Sequence, residues 1–321
     1  MPKQTFDEQL AELKSIARGT ITGEAVDRLR STLGGNQSAL AALAAQIVGH
    51  RRIADLAPDL VHAFGRFMAG TDKGCQAKIA IVDALNRLED RSDEVYLRGV
   101  RHVQMEPAFG GQIDVAADLR AACAVALANM QHPQAPCELT SLLVDKEINP
   151  RRAAIKALAH LRTEGAEMVI RLKALVGDPE AEIMGECFTA LMSMAPRTSV
   201  RFVGRFLVSP DPAVAEQAAI ALGQSHEAEA FELLREAWEN NIAPGFRRML
   251  LLPISLLRRD DAFEFLINVV ENGSPKLADA VMSALAVYAD DTSRRKVRDA
   301  VKRRGDQPIT DAFTREFGTM E

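Results

Sequence analysis

The sequence is poor in aromatic residues, with 13 Phe, 2 Tyr and 1 Trp among 321. It therefore lacks the ring-rich surface on which unpaired bases stack. It also lacks a cationic field, since the net charge of −5 at pH 7 gives no global attraction for a polyanion. Cysteine is scarce, and Cys75, Cys123, Cys137 and Cys187 form no Cys-x-x-Cys pair. Each sits in an apolar or helical stretch, so all four read as small buried hydrophobes of a reducing compartment. No long hydrophobic run is present. The uncharged stretch from Ser31 to His50 holds Gly34, Gly35, Asn36, Gln37 and Ser38, and its dense part, Ala39 to Val48, is too short to span a bilayer. The first residues show neither the basic nor the apolar segment of a secretion signal. The expectation is a cytoplasmic protein with no membrane insertion.

What is abundant is alanine, at 50 residues, within a chain that is 47% hydrophobic and 26% charged. That balance suits a folded protein rather than a disordered one. Prolines recur at 150, 179, 212, 244, 275 and 308, in steps of 29, 33, 32, 31 and 33. Asn149, Asp178, Asp211 and Ser274 precede four of them, and a capping residue followed by proline reads as a helix start. Pairs ending in Leu127, Leu158, Leu191, Leu222, Leu256 and Leu285 keep nearly the same period. So do apolar pairs ending in Val176, Leu207, Trp238, Val270 and Val301. Three registers drifting together define a tandem repeat.

Each unit reads as two helices. In 149–178 the first places Ala154, Ile155, Leu158 and Leu161 on one face, and the second places Val169, Leu172, Leu175 and Val176 on another. No segment alternates long enough to suggest a strand. Neither helix pair buries its apolar face alone, so neighbours must stack. The expected fold is all-α, a right-handed alpha-alpha solenoid of about seven to eight helical hairpins in a single domain over 1–321. Residues 1–35 would form an N-terminal helical cap, 36–305 the repeats, and 306–321 a short closing helix and tail. Pro253, inside Leu250 to Leu257, is expected to kink its helix.

The run Asp211-Pro212-Ala213-Val214-Ala215-Glu216-Gln217-Ala218-Ala219-Ile220-Ala221-Leu222-Gly223 resembles the HEAT-like repeat of the phycobilisome-lyase class. Asn149 to Leu158, Asp118 to Leu127 and Gln76 to Leu85 match it more loosely. The resemblance extends over about residues 36–305 and implies the fold while saying little about function. It admits one enzymatic alternative, an accessory or catalytic subunit of a modifying enzyme such as a bilin lyase. The HEAT-type hydroxylases of the same fold need several His-Glu pairs, and this chain has one, His226-Glu227, in a turn. The DNA glycosylases of similar fold need a basic, aromatic face, whereas Trp238 is the single tryptophan and sits on an apolar helix face.

Other chemistry is thin. Gly65 and Gly70 have phosphate-loop spacing, but Thr71-Asp72 stands where Lys-Ser or Lys-Thr should follow. The histidines show no ligand spacing. No catalytic residue, metal or cofactor is expected, which leaves a non-enzymatic scaffold for another protein, with nucleic acid disfavoured. Candidate contacts fall into three groups. Lys78, Arg120 and Arg151 lie seven residues ahead of successive leucine anchors, either as an internal ladder or as a cationic strip for an acidic partner. Arg294, Arg298 and Lys302 belong to a basic cluster near the end, read either as solvated capping or as a contact face. Phe109 and Ile113 flank Gly110-Gly111 in a loop insertion near 104–117, where the repeat period stretches to 42 between Leu85 and Leu127. They either tuck onto the ridge between repeats or present themselves on a mobile loop.

Overall fold

A small polar residue opens the first helix of most repeats. Asp114, Asp145, Asp178, Ser209 and Asn241 each accept the backbone N–H two residues on, at 2.8–3.2 Å. These are Asx and Ser turns, in which a side chain imitates the backbone and aims the chain into a helix. Thirteen residues after each comes a buried anchor: Leu127, Leu158, Leu191, Leu222 and Ile254. Four residues past Leu127, Leu158, Leu222 and Ile254 the chain turns left-handed at Gln131, Arg162, His226 and Arg258, with φ between 51 and 58°. It does so too at Glu89, four residues past Leu85, whereas after Leu191 φ stays negative at Ala195. This phase corrects the leucine register. Ile254 is fully buried where Leu256 was expected, and Leu256 is only half-buried.

The structure, a computed structural model, describes residues 5–288 and 290–319. The chain divides into two units, 1–166 and 167–321. In the first, α1 (Phe6–Arg18) and α2 (Gly23–Leu33) precede the pairs α3 (Ser38–His50) with α4 (Ala57–Ala69) and α5 (Gln76–Arg87) with α6 (Asp93–Gly99). Two short strands follow, β1 (Met105–Ala108) and β2 (Gly111–Asp114), then α7 (Ala117–Asn129), α8 (Ala135–Leu142) and α9 (Ile148–Leu161). Helix α10 (Glu164–Val176) crosses the division. The second unit holds the pairs α11 (Ala181–Met194) with α12 (Pro196–Gly204) and α13 (Pro212–Gln224) with α14 (Ala228–Asn240). It continues with α15 (Pro244–Leu256), α16 (Asp260–Asn272), α17 (Pro275–Leu285), α18 (Asp291–Arg304) and the closing α19 (Gln307–Phe317).

The prolines mark starts less strictly than expected. Pro212, Pro244 and Pro275 are first helical residues, and Asp211 and Ser274 cap their helices. Pro150 is the third residue of α9, and Asn149 donates to Asp118 at 2.8 Å instead of capping. Pro179 lies two residues ahead of α11, because the turn at Asp178 delays the helix. Pro253 does not interrupt α15, which continues to Leu256. On α10 the buried face is Ala166, Ile170 and Ala174, while Leu172, Leu175 and Val176 are exposed. Their shared face is real, but it points outward.

The first helices of the pairs stack on one another, α3 on α5, α5 on α7 and α7 on α9 in the first unit. In the second, α11, α13, α15, α17 and α19 do the same. This layer is where the alanines go: Ala41, Ala44, Ala45, Ala77, Ala124, Ala126, Ala218 and Ala219 are all buried. Small side chains let the axes approach. At two crossings even alanine is too large. A methyl on Gly49 would lie 2.8 Å from Ala84 Cα, and one on Gly223 would lie 2.8 Å from Pro253 Cα and closer still to the Pro253 carbonyl oxygen.

Gly223→Ala therefore tests the crossing. Helix propensity alone would favour alanine, but the opposing atoms are backbone and have no rotamer to escape into. We expect Gly223→Ala to cost about 1–3 kcal/mol by chemical denaturation. Gly65→Ala, in α4 with open space around it, should instead gain about 0.5–1 kcal/mol. Equal effects at the two positions would contradict the packing account.

Candidate functional site

The insertion that stretches the period is a hairpin, not an irregular loop. β1 and β2 pair antiparallel, Met105 with Asp114, Glu106 with Ile113, Pro107 with Gln112 and Ala108 with Gly111. Phe109 and Gly110 form the tip, where Gly110 takes a φ of 88° that only glycine adopts freely. Strands of four residues carry too little alternation to be seen in sequence, and an isolated two-stranded hairpin is marginal in water. Its stability must come from its root.

The root is a buried polar network around Arg120, whose residue is only 3% exposed. Arg120 donates to Asp114 Oδ2 at 2.7 Å, to both oxygens of Asp145 at 2.7 and 2.9 Å, and to the His102 carbonyl at 2.9 Å. Asp114 is thereby held at the end of β2, where it also accepts the amides of Gln104 and Ala116 at 3.1 and 3.0 Å. Burial alone would raise the Asp114 carboxyl; the two amides and the guanidinium outweigh it and hold the group below its usual value. The other strand is tied through Gln104, just ahead of β1. Its amide donates to the Asp72 carbonyl and to Glu106, both at 2.7 Å, and its oxygen accepts from Lys78 Nζ at 2.5 Å. Glu106 also accepts the Gly74 amide at 2.7 Å, and this bond, with that of Gln104, holds its carboxyl low. Lys78 faces Asp72 at 3.9 Å, with both side chains enclosed.

Lys78, Arg120 and Arg151 are thus internal. Arg151 reaches the carbonyls of Asp145 and Lys146 at 2.9 and 3.0 Å. Because their cations are enclosed, they form no strip for an acidic partner, and the ladder is their role. Each follows its aspartate by six residues: Asp72, Asp114 and Asp145. With the anchor corrected to Ile254, the rung returns at Arg247, six residues after Asn241 and bonded to the carbonyls of Trp238 and Asn241 at 3.2 and 2.9 Å. At Asp178, where position 184 is methionine, Lys173 supplies the cation from the preceding helix at 2.8 Å. Sequence reasoning missed Asp72, Gln104, Asp114 and Asp145, though the fixed spacing from aspartate to cation was visible.

Above this root the hairpin is apolar and unpacked. Phe109 has a relative exposure of 111%, Ile113 of 54%, and Met105 of 49%. Phe109 does not tuck onto the ridge between repeats. Nothing lies within 4 Å of a methyl built on Gly110 or Gly111, so the tip stands clear of the helices.

The basic cluster on α18 is partly spent. Lys296 pairs with Glu264 at 2.7 Å, Arg303 with Glu271, and Arg304 with Asp306 at 2.7 Å. Arg294 and Lys302 are exposed, Arg298 half-buried between them. Trp238 is buried edge-on to Phe265, with ring centres 5.4 Å apart, which suits core packing. Burial pushes Cys75 up to about 11 and Cys187 to about 12, so both stay protonated thiols. Cys137 is exposed rather than buried, since α8 turns it outward. Among the described residues no three His, Cys, Asp or Glu side chains gather as a metal-binding group. No helix of the described residues is long and apolar enough to cross a membrane.

Arg120→Met removes a buried cation from between two largely enclosed carboxylates. At pH 7 we expect a loss of about 3–5 kcal/mol, read by urea unfolding. Asp114 has a depressed folded value, so its stabilisation is complete above its unfolded value of 3.8 and fades as the pH falls below that. The gap between wild type and variant should accordingly narrow below about pH 4. A constant gap from pH 7 to pH 3 would contradict the assignment.

No family model matches the chain, and no curated protein matches it. Solved structures do. YibA of Escherichia coli is 13% identical, with a TM-score of 0.51, covering 95% of this chain and 99% of that one. A Kap121p mutant is 11% identical, with a TM-score of 0.50, covering 98% of this chain but only 44% of that one. The complex of CpcE and CpcF of phycocyanin lyase from Nostoc sp. PCC7120 is 17% identical at a TM-score of 0.35, covering 89% of this chain and 96% of that one. Identities this low speak to the fold alone. Repeat register, helix pairing and the likenesses to YibA and the Kap121p mutant together show an all-α solenoid with a HEAT-like repeat fold.

Proposed function

We propose that the protein is a non-enzymatic scaffold for protein–protein interaction, and that the β1–β2 hairpin is its contact element. The single observation carrying this reading is Phe109, a fully solvated aromatic side chain at the tip of a hairpin with a buried ionic root. A soluble monomer gains nothing from such a residue, whereas a binding surface uses aromatics as central anchors. Ile113 and Met105, also exposed on the strands below it, extend the apolar surface. The root matters energetically. A tip fixed before binding loses little conformational freedom on contact, so more of the apolar burial appears as affinity.

The test separates contact from packing. Phe109→Ala should change stability by less than about 0.5 kcal/mol, because the side chain touches nothing to lose. The same variant should weaken, by about thirtyfold, capture of whatever protein the immobilised wild type retains from extracts of its own source cells, the loss of an anchor worth about 2 kcal/mol. Ile113→Ala should weaken capture less. Undiminished capture by the Phe109→Ala/Ile113→Ala double variant would remove the hairpin from the account.

A further inference from the structure

A recess in the second unit has a different chemistry from the hairpin. It encloses about 920 Å³ between the end of α12, the first turns of α13 and α15, and the C-terminal half of α14. This is within the size range of pockets that take a compact ligand or a few side chains. Leu207, Leu233, Phe246 and Met249 supply its apolar lining, and Val208, 82% exposed, stands at its mouth. Its charged lining residues are Glu216 on α13 and Glu236 on α14, and no Lys or Arg lines it. Both glutamates are exposed, and among the described residues neither has an ion-pair partner. Other carboxylates of this unit do find cations, as Glu229 does with Arg201 and Glu232 with Arg235 at 2.5 Å.

We propose that this groove binds an amphipathic helix of a partner protein, with its apolar side chains on the floor and lysine or arginine against Glu216 and Glu236. The combination selects the occupant. An acidic or neutral apolar segment would bring its own charge or dipole against two uncompensated carboxylates, whereas a basic one completes them. Apolar anchors spaced three and four residues apart on one helix face fit an apolar cleft lined by helices. The proposal is independent of the hairpin, since the two sets of residues share none.

A defined probe tests it without knowledge of the natural partner. The probe is a fluorescein-labelled peptide of two tandem Leu-Lys-Lys-Leu-Leu-Lys-Leu units, followed by anisotropy against the full-length protein. Its counterpart carries glutamate at every lysine. We expect saturable binding of the lysine peptide and none of the glutamate peptide. Glu216→Gln/Glu236→Gln, at two exposed positions that should not disturb folding, should weaken binding at least tenfold. Ala237→Trp, which fills the groove from α14, should abolish it. Asp93→Asn/Glu94→Gln, an equal charge change on α6, should leave it unaltered. Absence of binding, equal binding of both peptides, or equal weakening by the α6 and groove substitutions would each overturn the proposal.

Discussion

The first unit depends on one guanidinium. Arg120 stands between Asp114 and Asp145, and through them joins the foot of the hairpin to the turn that opens α9. A buried cation of this kind is costly unless its donors are met, and four of the five N–H groups of Arg120 are hydrogen-bonded. The arrangement does more than neutralise charge. It fixes β2 at its last residue, while Lys78 and Gln104 fix the approach to β1 from the previous repeat. The insertion is thus built into the ladder rather than hung upon it.

A second constraint shapes the helical layers. Successive first helices approach until backbone meets backbone at Gly49 with Ala84 and at Gly223 with Pro253. This explains why a chain of 321 residues uses 50 alanines and so few aromatics: the layer leaves room for methyl groups or less. It also gives Pro253 a meaning that the sequence alone did not. A proline in the last turn of α15 sacrifices one helical hydrogen bond, and its carbonyl is what Gly223 packs against.

Much of this was legible. The repeat, the two helices per unit, the closing helix and the internal alternative for Lys78, Arg120 and Arg151 all follow from spacing. The errors have physical causes. In α15 the buried anchor is Ile254 and not Leu256, and this shift of two residues moves the ladder position from Met249 to Arg247. The Asx and Ser turns set the phase of the helix starts, and proline merely tolerates it. Leu172 and Leu175 share a helical face in sequence, but periodicity does not say whether a face is covered. The hairpin was too short for a period of two to register. The acidic groove gave no signal at all, because its leucines, phenylalanine and methionine look like core until the helices are placed around them.

The central claim is that the Phe109 tip is held in place by the ladder and is not a loose loop. Hydrogen exchange read by mass spectrometry over residues 104–115 tests it most directly, comparing wild type with Arg120→Met. Measurable protection of this segment is expected in the wild type, lost in the variant to a greater degree than in helices of the second unit. Exchange of 104–115 in the wild type as fast as in an unstructured peptide would contradict it.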